Sequence, residues 1–133
     1  MSTGSDTASR IQRDLVQTWA GIWLWCVPIG VFIVANASWN GNQLPSPIMG
    51  ILLTLATAWI GAACYVNGRR CGRVHCTIDG YALPLLSLAG LLNLLGLFAF
   101  NWNTYTLVFG LIVLLSFVPE FFGKRYLTPR VQA

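Results

Sequence analysis

An all-α, polytopic membrane protein with four transmembrane helices and both termini in the cytoplasm is predicted by three features of this 133-residue sequence. Apolar residues make up 56% of the chain and charged residues 9%, whereas soluble domains carry about a quarter charged residues. No charged side chain occurs from Leu15 to Gly68 or from Gly80 to Pro119, and the mean hydropathy is +0.64. The eight Lys and Arg residues fall into three clusters set apart by those runs. Such a chain has the bilayer, not a polar shell of its own, as its working solvent.

Residues 1–14 begin with a stretch rich in Ser, Thr, Gly and Asp that is too polar to order itself, so they are read as a flexible cytoplasmic tail. The transmembrane domain then occupies 15–122. A hydrocarbon core of about 30 Å needs about 20 helical residues, which divides the domain into spans at 15–35, 48–66, 82–100 and 105–122. The first run is too long for the apolar region of a signal peptide and has no small-x-small cleavage site after it. In the second, the unbroken run Ile48-Met49-Gly50-Ile51-Leu52-Leu53 lacks the alternation of a barrel strand. Gly50, Ala58, Gly61, Ala62 and Ala63 there, and Ala89, Gly90 and Gly96 in the third, let those two helices approach closely. Pro28 and Pro84 are expected to kink their spans, Asn101-Trp102-Asn103-Thr104 to separate the last two, and Pro119 to end the fourth. A second cytoplasmic tail, 123–133, follows.

Arg10 and Arg13 precede span one, Arg69, Arg70 and Arg73 lie between spans two and three, and Lys124, Arg125 and Arg130 follow span four. The opposite connections, 36–47 and 101–104, hold no basic residue, so the positive-inside rule assigns the basic side to the cytoplasm. The net charge of +4 is then a topology signal facing anionic lipid headgroups, and no nucleic-acid partner is expected. Trp19, Tyr65, Tyr81 and Tyr126 would form the cytoplasmic aromatic belt, and Trp39, Trp102 and Tyr105 the outer one. The corresponding location is the inner (cytoplasmic) membrane of a prokaryote.

No ionisable residue is expected at mid-depth, which argues against proton-coupled export. The polar residues placed inside are Asn93, Thr54, Thr57, Ser87, Ser116 and Cys26. Of these Asn93 costs most to bury unpaired, and either a hydrogen bond to a neighbouring helix or a substrate path would account for it. A single histidine excludes bis-His haem within one subunit. The sequence holds no phosphate-binding glycine loop, no Ser/His/Asp set and no paired carboxylates, so neither a nucleotide nor an enzymatic activity is expected.

The segment from Cys64 to Cys76 contains three of the four cysteines and the only histidine. Its position between spans two and three makes it a cytoplasmic loop, where thiols stay reduced. Cys64, Cys71, His75 and Cys76 form a three-sulfur, one-nitrogen donor set suited to soft metal ions such as Hg, Cu or Zn. Arg69, Arg70 and Arg73 surround these cysteines and favour the thiolate, the form that both binds metals and attacks as a nucleophile. The same residues also fit a plain basic topology loop, a thiol redox site or a lipidation site. Cys26, two residues before Pro28, is a candidate to relay an ion if spans one and two are neighbours.

The string Ala63-Cys64-x-x-Asn67-x-Arg69-Arg70-Cys71-Gly72-Arg73-x-His75-Cys76, followed by Gly80, resembles a loop in small, mostly uncharacterised prokaryotic membrane proteins and covers about a tenth of the chain. The four-span size and thiol content are also similar in type to the mercury-resistance inner-membrane transporters. That resemblance implies passage of Hg(II) between cysteines to a cytoplasmic reductase. Those transporters carry a closely spaced cysteine pair in the first span, whereas Cys26 stands alone here. The expected function is an inner-membrane protein that binds and moves a soft metal ion. The alternatives are a non-catalytic accessory subunit of a larger membrane complex and a thiol redox protein using Cys71 or Cys76; the expected partners are the lipid bilayer and either further copies of the chain, as a homo-oligomer, or a larger membrane complex.

Overall fold

The computed structural model describes residues 15, 19–40 and 46–123. Of the expected tails, 1–14 and all of 123–133 but Gly123 lie outside the described residues, with Arg10, Arg13, Lys124, Arg125, Tyr126 and Arg130. Four helices account for nearly all that is described, and each is long and apolar enough to cross a membrane. They are α1 (19–40), α2 (Ser46–Cys71), α3 (Val74–Leu94) and α4 (Trp102–Phe121).

Within α1 the turns widen to a π-helix over Ile22–Cys26 before the α-helix resumes at Val27–Asn40. Pro28 is the cause: it has no N–H to return to the carbonyl of Leu24, so the hydrogen-bond ladder shifts register just ahead of it. α2 is the central helix. Of its most apolar stretch 56% is buried, against 11% for α4, and it packs on both α1 and α3. Two cores are stacked along the bundle. Near the start of α2, Phe32, Ala35, Met49, Leu53, Ala56, Trp102 and Tyr105 pack together; further along, Ile60, Cys64, Cys76 and Leu83 do so.

The small residues expected at the α2–α3 seam work as predicted at Gly61 and Gly90. A side chain at Gly61 would meet Pro84 Cδ at 2.7 Å, and one at Gly90 would meet Thr54 Oγ1 at 2.6 Å. Ser87 Oγ adds a cross-helix bond to the Thr54 carbonyl at 3.2 Å. In lipid, where apolar side chains gain little from leaving the solvent, such close backbone packing and these bonds hold the helices together.

Four helix ends, at the two connections flanking α3, differ from expectation. α2 continues past residue 66 to Cys71, and α3 begins at Val74, so Cys71, His75 and Cys76 are helical and only Gly72 and Arg73 connect the helices. Gly72, at φ 72°, makes this reversal, its N–H bonding the Gly68 carbonyl at 2.8 Å. At its other end α3 stops at Leu94 instead of residue 100. Gly96, at φ 74°, is the left-handed residue of a Schellman cap: its N–H reaches the Asn93 carbonyl at 3.1 Å and that of Leu97 reaches Leu92 at 2.9 Å. Gly96 therefore ends the helix and takes no part in the seam. The Asn101 side chain, accepting from the Asn103 N–H at 2.9 Å, then starts α4 three residues before the expected position. Trp102 and Tyr105, expected in the outer belt, are core residues, and the Trp102 ring covers Gly50.

Candidate functional site

The short α2–α3 connection brings three polar ladders to the end of the bundle that carries Arg69, Arg70 and Arg73. Cys64, Asn67 and Cys71 occupy one face of α2; His75, Cys76 and Asp79 occupy the first two turns of α3; Ser116 and Glu120 lie one turn apart in α4. Since α3 and α4 run antiparallel, their ladders pair in register. His75 Nδ1 lies 2.5 Å from Glu120 Oε1, and one turn further in Ser116 Oγ lies 3.0 Å from Asp79 Oδ2. The Ser116 hydroxyl has the Val113 carbonyl at 2.8 Å as its alternative acceptor. Phe117 stacks on the His75 ring at 4.4 Å and fixes its plane, while Arg73 Nε stands 4.0 Å from Glu120 Oε1.

Cys76 sits at the centre of the cluster and is fully buried. Its Sγ is 3.2 Å from His75 Nε2 and receives the Asn67 side-chain amide at 3.5 Å. Cys64, also buried, packs in the same core cluster as Cys76. With Glu120 ionised, His75 Nδ1 donates to the carboxylate and Nε2 is left to accept from the Cys76 thiol. The result is a carboxylate–imidazole–thiol chain, an arrangement that moves a proton off sulfur without sending it through lipid. Asn67 also accepts the Leu15 backbone N–H at 2.9 Å, which ties the segment ahead of α1 to the same site.

Asp79 is 3% exposed, and among the described residues its Oδ1 has no hydrogen-bond partner. An orphaned acidic oxygen at this depth is expensive unless a cation or proton compensates it. Beside the cluster, a hollow of about 350 Å³ is lined by Arg73, Phe117, Glu120 and Phe121. Two of those residues touch His75, so the hollow adjoins the polar chain that leads to Cys76.

Of the donors predicted from sequence, Cys64, His75 and Cys76 are brought together. Cys71 is not: its Sγ bonds the Asn67 carbonyl of its own helix at 3.1 Å, and it lies two turns, about 10 Å, from Cys64. Among the described residues no group of three or more His, Cys, Asp or Glu side chains is arranged to hold a metal ion. Cys26 is exposed on α1, and all four cysteines are free thiols. Arg69 and Arg70 point outward, whereas Arg73 turns toward Glu120. The hydrogen bonds of Asn93 do not cross to another helix, and the residue lines a hollow of about 750 Å³ with Pro47, Phe100 and Trp102. Its side chain clamps the α3–α4 connection, donating to the Phe100 carbonyl at 3.3 Å and accepting the Phe100 N–H at 3.2 Å.

Sequence reasoning missed Asp79 and Glu120, and although it placed Ser116 inside the bundle it gave that residue no part in the site. It placed Asp79 ahead of the third span and Glu120 at the very end of the fourth, whereas both lie inside helices, Asp79 in α3 and Glu120 in α4, within about two turns of the basic end. The readable signal was the matched four-residue spacing, His75 to Asp79 on one helix and Ser116 to Glu120 on the next. Comparison of the chain with protein-family models, with curated proteins and with solved structures finds no match.

Proposed function

We propose that this chain is a prokaryotic inner-membrane protein that binds a soft metal ion, Cu(I) or Hg(II), between the sulfurs of Cys64 and Cys76 at the cytoplasmic end of its bundle, and passes it on. The observation that carries this reading is the packing of two buried thiols, Cys64 and Cys76, in one cluster beside an imidazole. Two thiolates satisfy these soft ions, whereas structural Zn(II) takes four ligands, so the separation of Cys71 from the pair favours Cu(I) or Hg(II). His75 takes the proton that Cys76 gives up, Glu120 stabilises the resulting imidazolium, and the unpaired Asp79 oxygen supplies negative charge beside the site. Burial of both sulfurs favours an ion over a protein disulfide as the reactant, because a protein partner could not reach them. The cytoplasmic assignment of the basic end rests on the positive-inside bias.

Protection from alkylation tests the reading. In the reduced, purified protein, one equivalent of Cu(I) or Hg(II) should shield Cys64 and Cys76 together. Cys64→Ser or Cys76→Ser should abolish stoichiometric binding, while Cys71→Ser and Cys26→Ser should retain it. Equal labelling of Cys64 and Cys76 with and without both ions would refute the site. A second reading, an accessory subunit of a larger membrane complex, is favoured by the low burial of α4, 11% of its most apolar stretch, and its sign would be stoichiometric co-purification with larger proteins after gentle extraction.

A further inference from the structure

On the outer side of the α2–α3 seam, two adjoining hollows share Tyr65 and Tyr81. The larger, of about 590 Å³, is apolar and runs past Ala62, Pro84 and Leu88. The smaller, of about 200 Å³, lies toward the basic end and is walled by Arg69 and Thr77. Tyr65 and Tyr81 meet edge to face at 5.6 Å where the two join, and the Arg69 guanidinium lies over the Tyr65 ring at 5.1 Å. We infer that this groove binds one anionic phospholipid, with its phosphate on Arg69 and one acyl chain laid along Ala62, Pro84 and Leu88.

Charge, polarity order and length each support this occupant. Stacking on Tyr65 fixes the guanidinium but uses none of its five N–H donors, and among the described residues none is taken by a carboxylate. The described acidic side chains, Asp79 and Glu120, bond inward to Ser116 and His75, so among the described residues the exposed charge beside the groove is that of Arg69 and its neighbour Arg70. The groove is polar at the helix ends and apolar further in, the order met along a phospholipid, with two tyrosines at the boundary, where such rings settle in a membrane. From Thr77 to Leu88 the helix rises roughly 16 Å, the depth of one leaflet of a hydrocarbon core about 30 Å thick. This site is independent of the thiol cluster, which faces the bundle interior.

The test is retention of lipid by the full chain in mild detergent, counted by mass spectrometry of the protein released from micelles. Phosphatidylglycerol should remain at one per chain and phosphatidylcholine at least tenfold less often. Arg69→Gln should lower phosphatidylglycerol retention about tenfold, the loss expected for one charge-assisted hydrogen bond, and Arg70→Gln, which removes the same charge outside the groove, should leave it unchanged. Leu88→Trp, filling the apolar hollow on an exposed face, should lower retention of both lipids. Equal retention of the two headgroups, equal losses in Arg69→Gln and Arg70→Gln, or displacement by millimolar inorganic phosphate would each overturn the site.

Discussion

Asp79 is the residue on which the energetics of the site turn. It is buried with one oxygen on Ser116 and the other unpartnered among the described residues, a cost that the fold alone has no reason to carry. Ser116→Ala would leave both oxygens without a donor and should lower thermal stability by about 1–3 kcal/mol. Asp79→Asn keeps the shape, accepts from Ser116 through its amide oxygen and removes the charge. It should therefore unfold at the same or a higher temperature when metal-free, yet retain soft ions more weakly. Parallel melting curves and metal analysis check both outcomes, and loss of stability without loss of ion retention would reduce Asp79 to a packing residue. Neither role was legible locally, because the partner that defines Asp79 lies 37 residues away on another helix.

At the scale of the element, α3 is where sequence and structure part. The other three spans were readable because their charge-free runs coincide with the helices to within a few residues at most boundaries. In α3 the polar stretch Val74-His75-Cys76-Thr77-Ile78-Asp79 looks like loop, but every one of its polar side chains has a partner on the protein. His75 and Asp79 use α4, and Thr77 bonds the Arg73 carbonyl at 2.9 Å. Polarity marks a loop only when the groups need water. The far end misled for the opposite reason: Leu95, Leu97 and Phe98 are apolar enough to continue the span, yet the left-handed turn at Gly96 stops it. Gly96→Ala should cost about 1–2 kcal/mol through backbone strain alone, since no atom lies within 4 Å of the added carbon. Urea or thermal unfolding in detergent measures it, and an unchanged midpoint would mean that the cap contributes nothing to the fold.

Taken as a whole, the molecule has its polar chemistry at one end and its aromatic core toward the other, and the basic residues Arg69, Arg70 and Arg73 share the polar end. Reporter fusions at Gly72 and at Asn101 should therefore report opposite compartments, Gly72 cytoplasmic, and an outward-facing Gly72 would reverse the proposed orientation. The paired ladders of α3 and α4 also constrain how the chain is made. The α3 span has a mean hydropathy of 1.2 against 1.8 for each of the others, and it presents His75 and Asp79 to whatever lies beside it. A carboxylate facing lipid costs several kcal/mol, roughly 2.5–3.5 even on the most lenient insertion scale. During synthesis, α3 emerging alone is therefore expected to insert less efficiently than when α4 follows and brings Ser116 and Glu120 to cover Asp79 and His75. A chain truncated after Leu94 should accordingly be retained in the membrane at a lower level than the full chain, and equal retention would show that α3 inserts without help from α4.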